Sequence, residues 1–173
     1  GWIAEPGAPG GGHLRFAAVH TDVAFRWDEK HGLRGLRAPS HEASAFRPHP
    51  AGGYIVPEQG TRRIVRYEDD GSVTVLADRF EGKRLNRPND LAVPRDGTEW
   101  FTEPDYLFKQ RPHETKELVG QYVFRLRPAT GELRAVITDL KLPNGIAFSP
   151  DEAWLYVGDS ATVFVLGGEC LAD

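Results

Sequence analysis

Apolar and polar positions alternate along this chain with a period of two. Short runs rich in β-branched and aromatic residues recur at 14–19, 23–27, 64–67, 73–76, 122–126, 133–137, 155–157 and 163–166, separated by turn signals such as Asp70-Gly71, Asp96-Gly97 and Thr130-Gly131. Such alternation sets one face of a strand against a core and the other toward water. No stretch shows a convincing helical period, and the polar segment 109–118 reads as an insertion loop. The pattern predicts an all-β chain.

The strands also recur as a unit. "RPNDLAVPRDGTEWFTEPDY" at 87–106 and "LPNGIAFSPDEAWLYVGD" at 142–159 share one order: Pro-Asn, an acidic residue or glycine, an apolar strand, a turn, an aromatic strand. The segment beginning "ASAFRPHPAGGYIVPEQG" lines up with both, which makes Ser44, Asn89 and Asn144 equivalent at spacings of 45 and 55 residues. The longer spacing contains the insertion around 107–120. Each unit offers four short antiparallel strands, which is the period and strand count of a β-propeller blade. A sandwich would also give many short strands, but it would not repeat them in the same order. The expected organisation is a partial β-propeller over 13–166, about three and a half four-stranded blades. Residues 1–12 are expected to form a poorly defined N-terminal segment, and 167–173 a divergent or truncated tail.

Composition narrows the function. With 173 residues, 40% hydrophobic and 27% charged, the chain has the balance of an ordinary globular domain. The net charge of −4 and the scattering of basic residues provide no positive stripe for nucleic acid. No apolar run approaches the roughly 18–20 residues of a membrane span, so neither nucleic acid nor membrane is an expected partner. Cys170 is the single cysteine and has no disulfide or zinc partner. The chain begins at Gly1 and contains no methionine, so its natural N-terminus is expected to lie upstream. A cytoplasmic location is favoured, with periplasm or secretion left open. The six histidines form no H-E-x-x-H, "GAPGGGH" has no following G-K-[ST], and "GDSAT" lacks the G-x-S-x-G elbow. Glu58 is read either at a channel mouth or as a partner of Arg62 or Arg63.

The stretch "EQGTRRIVRYEDDGSVTVLADRFEGKRLNRPNDLAVPRDGTEWFTEPDY", together with "LPNGIAFSPDEAWLYVGD", resembles the gluconolactonase, regucalcin and senescence-marker group of calcium-dependent lactonases. These are six-bladed propellers. The resemblance implies metal-dependent hydrolysis of a sugar lactone, incomplete in this chain because later blades are absent. The alternative is a non-catalytic propeller module. Members hold one divalent cation through an early glutamate, the asparagine of the PNG strand and an aspartate from a later blade, while the arginine and asparagine of R-x-N-D face the substrate. By that resemblance Asn144 is a metal ligand, Asn89 a metal or water-mediated contact, and Arg87 a substrate contact. Glu103 stands where relatives often carry aspartate and is read as a pocket residue or a turn residue. Glu5 is the nearest counterpart of the early glutamate. The aspartate serving as ligand and general base would lie beyond residue 173. Calcium is the implied cation, with zinc or magnesium as alternatives, and the uncovered strand edges are expected to favour self-association.

The residue types fit that chemistry. Hard cations take oxygen ligands, and carboxamides supply them without neutralising the ion's charge. The competing reading is plain as well, because Asn beside Gly or Asp is a common turn former.

Overall fold

A computed structural model describes residues 3–5, 12–106, 108, 111, 113–161 and 165–169. Blade 1 holds β1 (Ile3–Glu5), β2 (His13–Ala18), β3 (Val23–Asp28) and β4 (Gly32–Arg37). Blade 2 holds β5 (Arg47–Pro48), β6 (Tyr54–Glu58), β7 (Arg63–Tyr67) and β8 (Val73–Ala77). A two-stranded hairpin, β9 (Arg79–Phe80) and β10 (Lys83–Arg84), leads out of it. Blade 3 holds β11 (Leu91–Ala92), β12 (Glu99–Glu103), β13 (Tyr122–Arg127) and β14 (Glu132–Ile137), and blade 4 holds β15 (Pro143–Phe148), β16 (Trp154–Asp159) and β17 (Val165–Glu169). Within each sheet the strands pair antiparallel in chain order without crossovers. The molecule is an all-β partial propeller. The one named helix among the described residues is the 3-10 turn Val19–Thr21, and no helix is long and apolar enough to cross a membrane.

Alternation places the core in the seams between blades. Blade 1 meets blade 2 through Ala24, Phe46, Val56, Val65 and Tyr67. Ile55 and Ile64 of blade 2 then pack on Leu91, Phe101, Phe124 and Leu126 of blade 3. The other face of blade 3, with Ala92 and Val123, meets Ile146, Leu155 and Val157 of blade 4, where Trp100 stands edge-on to Phe148 at 5.6 Å. Each fully buried side chain of this kind is worth about 1.5–3 kcal/mol. A register shift recurs at the third strand of successive blades, between Ala24 and Phe25, Ile64 and Val65, and Val123 and Phe124. Such bulges raise the local twist of the outer strand.

The strands start or end within about two residues of their predicted bounds, and three features differ from expectation. β1 lies inside the segment expected to be poorly defined, pairing with β2 from Ile3↔Arg15 to Glu5↔His13. β17 runs to Glu169, because its backbone pairs with β16 as far as Trp154↔Glu169; neighbouring backbone supplies the strand that two glycines do not favour by themselves. β4 and the β9–β10 hairpin carry no alternating signal in the sequence. Cys170 lies outside the described residues.

Candidate functional site

The inner strands of blades 2, 3 and 4 are entered by Ser44, Asn89 and Asn144, and the structure brings all three together. The Ser44 hydroxyl donates to the Asn89 carbonyl at 2.5 Å. The Asn89 side-chain amide donates to Asn144 Oδ1, also at 2.5 Å. The contact belongs to a longer polar row, in which Gln59 Nε2 donates to Asn89 Oδ1 at 3.0 Å and Asn144 Nδ2 donates to Ser160 Oγ at 2.9 Å. Tyr106 OH closes the row at 3.2 Å from Ser160 Oγ. Burial pushes the Tyr106 phenol up, against the hydrogen bond to Ser160. Asn89 is half-buried and Asn144 exposed, so one side of the row is open to solvent.

Backbone geometry fixes these side chains. Asn89 N donates to Thr102 O, Thr102 N returns to Asp90 O, and Thr102 Oγ1 donates to the Asn144 carbonyl at 2.6 Å. Asp90 in turn accepts the amide of Ile146 at 3.2 Å, tying blade 3 to blade 4. A second device repeats between blades, where an acid ends the second strand and holds the chain entering the inner strand. Glu103 accepts the amides of Asn86 and Arg87, three and two residues before Asn89. Asp159 accepts those of Lys141 and Leu142 at 2.8 and 3.0 Å, three and two residues before Asn144. Burial acts to raise the Asp159 carboxyl, but the amides of Lys141, Ala161 and Leu142 outweigh it and hold it below the usual range. Burial drives Glu103 well above that range, even though the two amides pull the other way.

Arg87 is fully buried and heavily paired. Its guanidinium donates to Glu42 at 2.8 Å and to both oxygens of Glu114 at 2.8 and 2.7 Å. Arg111 bonds both acids, and the Arg87 head also reaches the Gln59 carbonyl at 3.3 Å. Burial alone would raise Glu114, but Arg87 and Arg111 bring it below the ordinary carboxylate range. The cluster ties the insertion loop to blades 2 and 3. Arg87, expected to face substrate, and Glu103, read as a pocket or turn residue, are both fully buried at the loop that carries Asn89. Glu58 is paired with Arg63 at 2.7 Å, not with Arg62.

Residues 8–167 match the SMP-30/gluconolactonase/LRE-like region. The chain belongs to this family. It is 33% identical over 165 residues to a gluconolactonase of Zymomonas mobilis, covering 87% of this chain and 46% of that protein. A gluconolactonase of Xanthomonas campestris superposes with a TM-score of 0.85 at 31% identity, covering 92% of this chain and 55% of the other. The calcium-binding regucalcin of Agrobacterium tumefaciens, at 19% identity and a TM-score of 0.73 over 98% of this chain and 53% of that one, shares the fold. The chain thus spans about half the length of the relatives it matches.

Two further parts of the site are written in the repeat. "PEQ", "TEP" and "GDS" place an acid at the same strand end each time, and Gln59 and Ser160 each follow that acid. Glu42 and Glu114 had no such signal, since both sit in loops. Glu5 stands at the exit end of β1 opposite His13, whereas the asparagines stand at strand entries; its side chain lies outside the described residues. Among the described residues no three His, Cys, Asp or Glu gather as a metal site.

Proposed function

We propose that this chain supplies the asparagine-bearing side of a divalent-metal site for hydrolysis of a sugar lactone. The observation that carries the reading is the meeting of the Asn89 and Asn144 carboxamides, delivered from successive blades to one solvent-open point. Family membership and the gluconolactonase relatives support the lactone, and the calcium-binding regucalcin supports Ca²⁺, with zinc or magnesium as alternatives.

The residues fit a hard cation in kind, since both are neutral carboxamides that can offer an oxygen: Asn144 Oδ1 lies beside the Asn89 amide, and Asn89 Oδ1 accepts from Gln59. Asn144 and Asn89 would hold it; Glu5 is not needed for this reading. When bound, such an ion polarises the lactone carbonyl toward attack by water. The chain's own residues position the site: Glu103 and Asp159 fix the two entering loops, Thr102 locks one to the other, and the Arg87 cluster keeps the Asn89 loop closed. Direct contact of Arg87 or Glu103 with substrate would require that loop to open. The general base would come from a further blade.

A second reading, a propeller module without chemistry, is favoured by the lack of a carboxylate-rich cluster among the described residues. Terbium luminescence, displaced by Ca²⁺, distinguishes the two. The metal reading expects binding on the order of millimolar for so neutral a ligand set, weakened about tenfold or more in Asn144→Ala. Binding that is unchanged in Asn144→Ala and Asn89→Ala would reject it.

A further inference from the structure

Beside the Gln59 end of the polar row lies a separate polar cavity of about 420 Å³, lined by Arg62, Arg84, His113, Glu114, Thr115 and Glu117. Its deepest cation is incompletely matched. Arg62 is 4% exposed; Nε donates to Leu85 O at 2.6 Å and Nη1 to Thr115 O at 3.1 Å, while Nη2 is buried with no partner. Among the described residues Arg62 forms no ion pair. Phe108 lies 5.3 Å from its guanidinium and covers one side. A buried guanidinium with an unmet donor is costly, and an acceptor oxygen brought in from outside removes that cost.

The acids in the wall do not meet this need. Glu114 is committed to Arg87 and Arg111, and Glu117 receives the backbone amide of Arg84 at 2.8 Å. Among the described residues the Arg84 side chain hydrogen-bonds the Thr61 carbonyl alone, at 3.3 Å. Among the described residues, two guanidinium groups therefore face one polar cavity without a direct ion pair; burial and Arg84 lower the affinity of Arg62 for its proton, against the pull of Glu117, Glu114 and Glu103. Planar guanidinium forks match the oxygens of a tetrahedral oxyanion, and the volume falls within the range of small-ligand sites.

We propose that this cavity is an oxyanion site that accepts a phosphoryl group, free or carried on a sugar. The site is distinct from the asparagine pair and does not depend on the lactonase reading. It adjoins that pair through the Gln59–Gly60 turn, since Gln59 reaches both Asn89 and Arg87.

Backbone amide NMR of the full chain, titrated with sodium phosphate against sodium chloride at matched ionic strength, tests it. The expected result is a saturable shift of the Gly60 and Thr115 amides with phosphate alone. Arg84→Gln is expected to weaken that binding about tenfold. Arg62→Lys should weaken it further; because Arg62 is buried that variant can fail to fold, so the half-exposed Arg84 keeps the test decisive. Tighter binding of glucose 6-phosphate than of phosphate identifies an ester ligand, and equal binding identifies the free anion; both support the site. Absence of saturable shifts, equal shifts with chloride, or full affinity in Arg84→Gln would overturn it.

Discussion

Glu99 shows how one residue can make the stability of this chain depend on pH. It opens β12 on the same face as Phe101, is 1% exposed, and neither carboxyl oxygen has a partner among the described residues. Burial pushes its pKa up from 4.5 to about 7, with Arg66 pulling in the opposite direction. Below the ordinary value both folded and unfolded chains hold the proton, so the group contributes nothing. Between 4.5 and about 7 the unfolded chain releases its proton while the folded chain keeps it, and stability falls as pH rises before levelling off. The loss is on the order of 3 kcal/mol. Glu99→Gln is therefore expected to flatten the decline, with a urea midpoint above the parent's near pH ~8 but no comparable gain near pH ~4. Midpoints that fall as steeply with pH in the variant as in the parent would count against this assignment.

At the scale of elements, the β5–β6 hairpin depends on one glycine. His49 and Gly53 close the turn, with His49 N donating to Gly53 O at 3.1 Å. Gly53 has φ +71°, and a Cβ there would run into the Tyr67 carbonyl on β7. Gly71 also has a positive φ, +86°, but nothing lies within 4 Å of its would-be Cβ. Gly53→Ala should lower the melting temperature by on the order of 10 °C, and Gly71→Ala by distinctly less. Equal losses would show that the carbonyl contact is unimportant. The same contrast separates what the sequence discloses from what it hides. Strands such as β7, β8, β13 and β14 are legible because their apolar alternation is the seam packing itself. β4, "GLRGLR", is not, because its partners on β3 place it more than its own side chains do. The β9–β10 hairpin turns on Glu81 at φ 51° and Gly82 at φ 79°; a glutamate in the left-handed region is not a turn signature. At the site, Asn89 and Asn144 stand out because the repeat writes them twice, whereas the partners of Arg87 come from loops that no period connects.

At the scale of the whole molecule, the described residues cover blades 2 and 3 on both faces and blades 1 and 4 on one. Blade 1 exposes Trp27, Leu33 and Leu36, with Trp27 opposite both Leu14 and Leu33 in register. Blade 4 exposes Trp154 and Tyr156. Apolar faces of this kind, together with unpaired strand edges, recruit other chains. Light scattering on these 173 residues is expected to give a mass above that of the monomer, and Trp154→Glu with Tyr156→Glu should reduce it. A chain that stays monomeric at high concentration would refute the expectation. One feature joins the covered blades to the open one. From Gln59 through Asn89 and Asn144 to Ser160, every donor points the same way along the row. Turning one amide alone would set donor against donor on one side and acceptor against acceptor on the other. The favoured orderings are thus all forward or all reversed, each link polarising the next. In effect the row would hold a single bit, an ordering set at Asn144 in blade 4 being shared by Gln59 in blade 2.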